Sequence, residues 1–143
     1  MQVISWFENR DKTRPASFLN FDVESFYSSI SLELVHRALS WSRLKTTVSN
    51  IESDIIIESC KSLLFTQDGI WMKTDSGLHD ITMGSFSGAE ICEMIGLYML
   101  SRLRRENINA IIYRDDGAVM SYKTPRANHL EIIKIKTKFR RKV

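Results

Sequence analysis

Three acidic residues stand where apolar, strand-like runs end. Asp22 closes FLNF and precedes VESFY, and Asp115 and Asp116 sit at the tip of IIYRDDGAV. Adjacent carboxylates repel each other unless a cation compensates. Hard oxygen ligands with few histidines nearby suit Mg²⁺ or Mn²⁺, and phosphate-processing sites often hold Mg²⁺ with very few carboxylates plus substrate oxygens. If the strand ending at Asp22 pairs beside the hairpin, the three carboxylates converge on one edge of a sheet. Such an edge could hold two ions about 3.5–4 Å apart and stabilise the attacking and leaving oxygens of an in-line displacement. Asp-Asp-Gly is also good turn chemistry, and Asp22 alone could cap or close a loop. On these residues taken singly, both readings stand.

The elements that must position the acids follow from periodicity. VISWFENRDKTRP reads as a short element running into a loop at Pro15. The alternation in ASFLNFDVESFYSSI predicts a strand through about Val23. Leu32, Val35, Ala38 and Leu39 recur at three and four, which predicts a helix over 31–44. A second helix is expected from Asn50 as N-cap, with Ile51, Ile55, Ser59 and Leu63 on one line. Turn signals at Asp68-Gly69 and Asp75-Ser76-Gly77 around IWMK and LHDI predict a small hairpin. A long amphipathic helix is expected from Ser87 to Arg104, with Ile91, Met94, Ile95, Tyr98 and Leu103 on its apolar side. After a turn at 107–109, AIIY and GAVMSY read as two strands joined by Arg-Asp-Asp-Gly. The tail reads as helix through Ile132, Ile135 and Phe139 or as strand through Ile133-Lys-Ile135, and helix is favoured. This order predicts an α+β fold, an antiparallel sheet backed by helices, and disfavours a doubly wound parallel sheet.

Composition bounds the function classes. The chain has 143 residues, 43% hydrophobic and 26% charged, enough for one domain with a real core. No window approaches about 18 uncharged apolar residues, so no membrane span is expected. MQVISWFENRDK lacks the apolar run of a secretory signal, which leaves an intracellular setting, nucleus or cytoplasm. Two cysteines, Cys60 and Cys92, are too few for a disulfide scaffold or a zinc site and read as buried free thiols. The net charge of +3 hides a split: residues 126–143 hold seven Lys/Arg against Glu131, while the rest carries 13 basic and 16 acidic side chains. The body is mildly acidic and the tail basic.

At this point the residues carry a resemblance. FLNFDVESFYSSI (about 18–30) resembles motif A of reverse transcriptases. TMGSFSGAEICEMIGLYML (about 82–100) resembles the glycine-containing loop and helix of motif B, and IIYRDDGAVM (about 110–122) resembles motif C. All three occur in the family's order, and KSLLF…DGIWMK before motif B is also similar to retroelement polymerases. The resemblance implies an antiparallel-sheet polymerase palm within one partial domain over residues 1–143. Asp22 and Asp115 would be the principal metal ligands, Asp116 the third acid, and Val23 a backbone ligand, around two Mg²⁺ or Mn²⁺ ions. Tyr27 would be the aromatic gate under the incoming sugar, favouring dNTP over rNTP, with Phe26 beside it in the nucleotide-binding set. The plain alternative for Tyr27 is a buried tyrosine at a helix start. Gly84 and Ser85 would form the loop against the nascent base pair, or else a helix-entry turn. Tyr113 would pack near the primer end, or else in the core as strand aromatics do, and Lys136, Lys138, Arg140 and Arg141 would contact nucleic acid, unless the tail is a solvated helix face or residues read past a frameshift.

The pattern departs from many members in Met83, where they have Gln, and in Gly88-Ala89, where Ser-Pro is common. In this it resembles Penelope-like and related retroelements more than retroviral enzymes. Only 21 residues precede Asp22, so the resemblance implies incomplete fingers and no thumb. Two readings follow: an RNA-directed DNA polymerase palm taking template, primer and dNTP, or a truncated, inactive retroelement product with nonspecific nucleic-acid binding at most. A metal-dependent nuclease is a third and would leave Tyr27 unexplained.

Overall fold

A computed structural model of the chain describes residues 3–72, 79–82, 84–124, 126–128, 130 and 133. In chain order the elements are α1 (Val3–Glu8), β1 (Ser17–Asp22), α2 (Phe26–Ser29), α3 (Leu32–Ser42), α4 (Asn50–Ser59), β2 (Leu64–Thr66), β3 (Gly69–Trp71), α5 (Gly88–Arg105), β4 (Asn109–Tyr113) and β5 (Asp116–Ser121). The fold is mixed α+β with small antiparallel sheets, as the element order predicted. The chain divides into two compact units. One takes the chain to Glu24 and again from Met99 to Lys142, and the other takes Ser25–Tyr98.

The first unit is built on a three-stranded antiparallel sheet in the order β1-β5-β4. Ser17 stands opposite Ser121, Phe21 opposite Gly117 and Asp22 opposite Asp116. On the other side of β5, Asn109 faces Met120 and Tyr113 faces Asp116. Strand alternation sorts these rows onto two faces. Leu19, Phe21, Ala110, Ile112 and Val119 pack with Leu100, Leu103 and Ile108 in one apolar cluster. Each fully buried aliphatic side chain there contributes about 1.5–3 kcal/mol. The opposite face carries the row Phe18–Met120–Asn109, which α1 covers. The Trp6 ring meets Phe18 edge-on at 6.1 Å, and Phe7 lies 5.5 Å from the same ring. Trp6 Nε1–H donates to Asn109 Oδ1 at 2.8 Å, which pairs the indole as it is buried.

Beyond β5, residues 126–128 are helical and fastened by a buried asparagine. Ser121 Oγ donates to Asn128 Oδ1, and Asn128 Nδ2 donates to Ser17 Oγ, both at 2.6 Å. Leu130 and Ile133 are also helical, and Ile132, Ile135 and Phe139, on which the tail expectation rests, lie outside the described residues.

In the second unit α3 buries Leu34, Val35, Ala38 and Leu39, the expected stripe, behind an N-cap at Ser31. Cys60 and Cys92 are buried, as expected. Three expectations are corrected. The N-cap of α4 is Ser49: its hydroxyl accepts from Glu52 N, and the Glu52 carboxylate accepts from Ser49 N. This capping box, Ser-x-x-Glu, outcompetes Asn50 because it satisfies two helix-end donors at once. Second, the Ile51–Ile55 line of α4 is exposed, at 72% and 61%; Ser53 is the residue α4 buries, held by Arg43 Nη2 at 2.9 Å. Third, the small hairpin pairs LFT with GIW through β2 and β3. Gln67-Asp68 is therefore its turn, with Gly69 opening β3 opposite Thr66, and LHDI contributes His79, bridged to Lys61. Residues 73–78 lie outside the described ones.

A Cβ on Gly117 would sit about 2.5 Å from Phe21 Cε2 and 2.6 Å from Cε1, so this glycine admits the ring across the strand pair. Gly117→Ala is expected to destabilise the protein by about 1–3 kcal/mol through overpacking. Denaturant unfolding checks this, and a Phe21→Leu background should recover part of the loss.

Candidate functional site

The end of the sheet away from Ser17 is one row, Asp22–Asp116–Tyr113, on a single face. Directly opposed residues hold their Cβ atoms about 4.5–5.5 Å apart, and like charges in that position are destabilising. Asp22 and Asp116 are such a pair, and both are exposed. Pairing continues one step further, because Val23 N–H donates to Asp115 O at 2.9 Å. Asp22, Val23, Asp115 and Asp116 are therefore brought to one edge by backbone hydrogen bonds.

The turn between β4 and β5 is tighter than Arg-Asp-Asp-Gly suggested. Tyr113 pairs with Asp116, leaving Arg114 and Asp115 as the whole turn, with Asp115 half-buried. Arg114 takes φ 55, a left-handed backbone in a residue with a Cβ. Such conformations cost about 1–3 kcal/mol and gather at functional sites. The Arg114 guanidinium lies 5.3 Å over the Tyr113 ring, and Tyr113 is 67% exposed at the end of the acidic row.

Two of the three acids, Asp22 and Asp116, share a face by register, while Asp115 belongs to the turn. Among the described residues no group of three or more His, Cys, Asp or Glu is gathered as a ready metal cage. The donors suit a divalent ion held by few carboxylates and completed by phosphate oxygens, the usual manner of Mg²⁺.

The other residues singled out lie elsewhere. Phe26 is 4% exposed, with its ring edge-on to Tyr27 at 6.1 Å. Tyr27 is half-buried on α2, in the second unit. The same unit holds Gly84, at φ 92 with open space around its Cα. Beside it, Ser85 N–H donates to Thr82 O at 3.0 Å, and Gly88 N–H donates to Ser85 O at 3.3 Å. These bonds are the helix-entry turn into α5. Met83, Lys136, Lys138, Arg140 and Arg141 lie outside the described residues.

Sequence reasoning passed over Arg114 as strained and Gly117 as a close-approach residue. The signal for Gly117 was its place inside a strand pattern, where an isolated glycine marks close packing. Compared with family models, with curated proteins and with solved structures, the chain matches none.

Because Asp22 and Asp116 oppose each other, Asp116→Asn in chelator is expected to raise stability by about 0.2–1 kcal/mol. Added Mg²⁺ should raise the Tm of the wild type and leave that of the variant unmoved. Thermal unfolding in both conditions checks the pair, and equal Mg²⁺ responses would sever the ion from this row.

Proposed function

We propose that the chain is the palm of an RNA-directed DNA polymerase from a retroelement. It would transfer nucleotides from dNTP to the 3′-hydroxyl of a primer on a template strand. The observation that carries this reading is the registered pair Asp22–Asp116 with Asp115 in the adjoining turn. Nothing in packing requires two exposed like charges in direct opposition, whereas a cation site does. The motif resemblance supports the reading independently.

Asp22, Asp115 and Asp116, with the Val23 backbone, would hold Mg²⁺ or Mn²⁺. When bound, the ions supply charge neutralisation at the phosphates and a more acidic primer hydroxyl. The chain's own contribution is positioning. The β1–β5 ladder holds the acids at fixed separation, so little reorganisation is needed as negative charge develops on the transferring phosphoryl group. Tyr113, exposed at the end of the same row, offers an aromatic surface to the primer end. By the motif resemblance, Tyr27 would be the residue that discriminates against a 2′-hydroxyl.

Primer extension on poly(rA)/oligo(dT) with Mg²⁺ or Mn²⁺ tests the reading. Asp115→Asn is expected to lower extension by at least about 10²-fold, the scale set by losing one preorganised electrostatic group. Equal signal from both proteins removes Asp115 from catalysis. In the same assay Tyr27→Ala should raise rNTP incorporation relative to dNTP; an unchanged ratio rejects the gate.

A further inference from the structure

The acidic row occupies one end of the three-stranded sheet, and the opposite end is cationic. Residues 10–14 and 122–126 contain Arg10, Lys12, Arg14, Lys123 and Arg126 against one carboxylate, Asp11. The fold gathers the two stretches. Asp11 N–H donates to the Tyr122 hydroxyl at 2.7 Å, and the Arg14 guanidinium lies 5.0 Å over the Tyr122 ring. The Asn128 bond to Ser17 Oγ, with a further bond to Lys123 O at 3.3 Å, holds the turn that carries Arg126 against the Ser17–Ser121 row.

Asp11, the acid of these two stretches, is engaged locally. The Asp11 carboxylate accepts from Thr13 N at 3.0 Å and Thr13 Oγ1 at 2.5 Å. Those hydrogen bonds, helped by the charge of Arg14, hold its carboxyl below the ordinary value. Arg10 is kept in place by stacking on Phe7 at 4.0 Å and donating to Phe7 O at 3.1 Å. Lys12, Arg14, Lys123 and Arg126 are exposed. Two stacked guanidiniums keep planar forks of donors in fixed positions, the geometry that phosphate oxygens accept.

We propose that these five cations form a sequence-independent contact for the phosphate backbone of a nucleic-acid duplex. A phosphate strand fits better than an acidic protein surface. The rings of Phe7 and Tyr122 each carry a guanidinium, and the cations meet a carboxylate already hydrogen-bonded to Thr13, so an excess of positive charge with planar donors is what the cluster offers a partner. β1 is six residues long, so the patch lies about 17 Å from Asp22 at strand rise. That spans about five phosphates of one strand in a duplex. The contact stands on the charge cluster alone and does not require the acids to be catalytic.

Fluorescence anisotropy of the full chain with a labelled random-sequence duplex of about 20 base pairs tests it, across a salt series. Combined Lys12→Gln, Lys123→Gln and Arg126→Gln is expected to weaken binding roughly tenfold or more. It should also lower the slope of log K against log salt by about three, near one per phosphate contact. Arg37→Gln, Lys45→Gln and Lys61→Gln together remove the same charge from the other unit and should leave the slope unchanged; an equal loss there overturns the patch. Loss of all binding on neutralising Lys136, Lys138, Arg140 and Arg141, with the patch variant unaffected, also overturns it. So does displacement of the duplex by poly-glutamate as readily as by unlabelled duplex. A wild-type chain that shows no primer extension yet keeps the patch-dependent slope rejects the polymerase reading and leaves this contact standing.

Discussion

The Phe21 ring lying over Gly117 is the constraint on which the rest of the first unit depends. A strand can slide along its neighbour, and a slip by one residue turns every side chain to the other face. The ring fits across from a residue with no Cβ and nowhere else along β5, whose other positions carry side chains. With Phe21 seated there, Leu19 meets Val119 in the core, Phe18 meets Met120 under Trp6, and Asp22 is carried to its place opposite Asp116. Packing one residue away thus sets which two positions oppose each other, and does not require that both be acids. Their mutual repulsion is offset by the apolar cluster, since a few buried side chains outweigh one exposed like-charge pair.

Much of this arrangement was legible in the chain. The strand through FLNFD, the stripe of α3, the long α5 and the hairpin carrying the acids all have strong local periodicity, and each forms. What periodicity could not reveal is where tertiary contacts decide. Ile51 and Ile55 have the spacing of a buried line, yet they stay exposed because α4 turns Ser53 inward, where Arg43 reaches it. LHDI looked like a strand partner for IWMK, but LFT lies closer to IWMK across a two-residue turn, and the shorter closure wins. At the site, acid identity and strand ends were readable. The face each acid takes was not, because that follows from the turn's length: two residues place Asp116 in the strand and leave Asp115 in the turn.

Both ends of the sheet are now defined by charge of opposite sign, separated by little more than the length of β1. The acidic end is set by register, and the cationic end by side-chain hydrogen bonds that reach back from Tyr122 and Asn128. The two are built by different means, so damage to one need not disturb the other. In the second unit β2 and β3 expose Leu64, Phe65, Ile70 and Trp71 together. A two-stranded hairpin is marginal by itself in water, so this is the part of the fold with the least to hold it.

The placement of Trp6 has an optical consequence. The protein has three tryptophans, and only Trp6 is buried, its indole N–H bound to Asn109 on the sheet that carries the acids. Trp71 is exposed on the hairpin and Trp41 is intermediate, 6.0 Å from Tyr98. The blue part of the intrinsic emission therefore belongs to the sheet of the first unit, and the red part, open to small quenchers, belongs to the hairpin of the second. One spectrum carries separate signals for the two units, with no label attached.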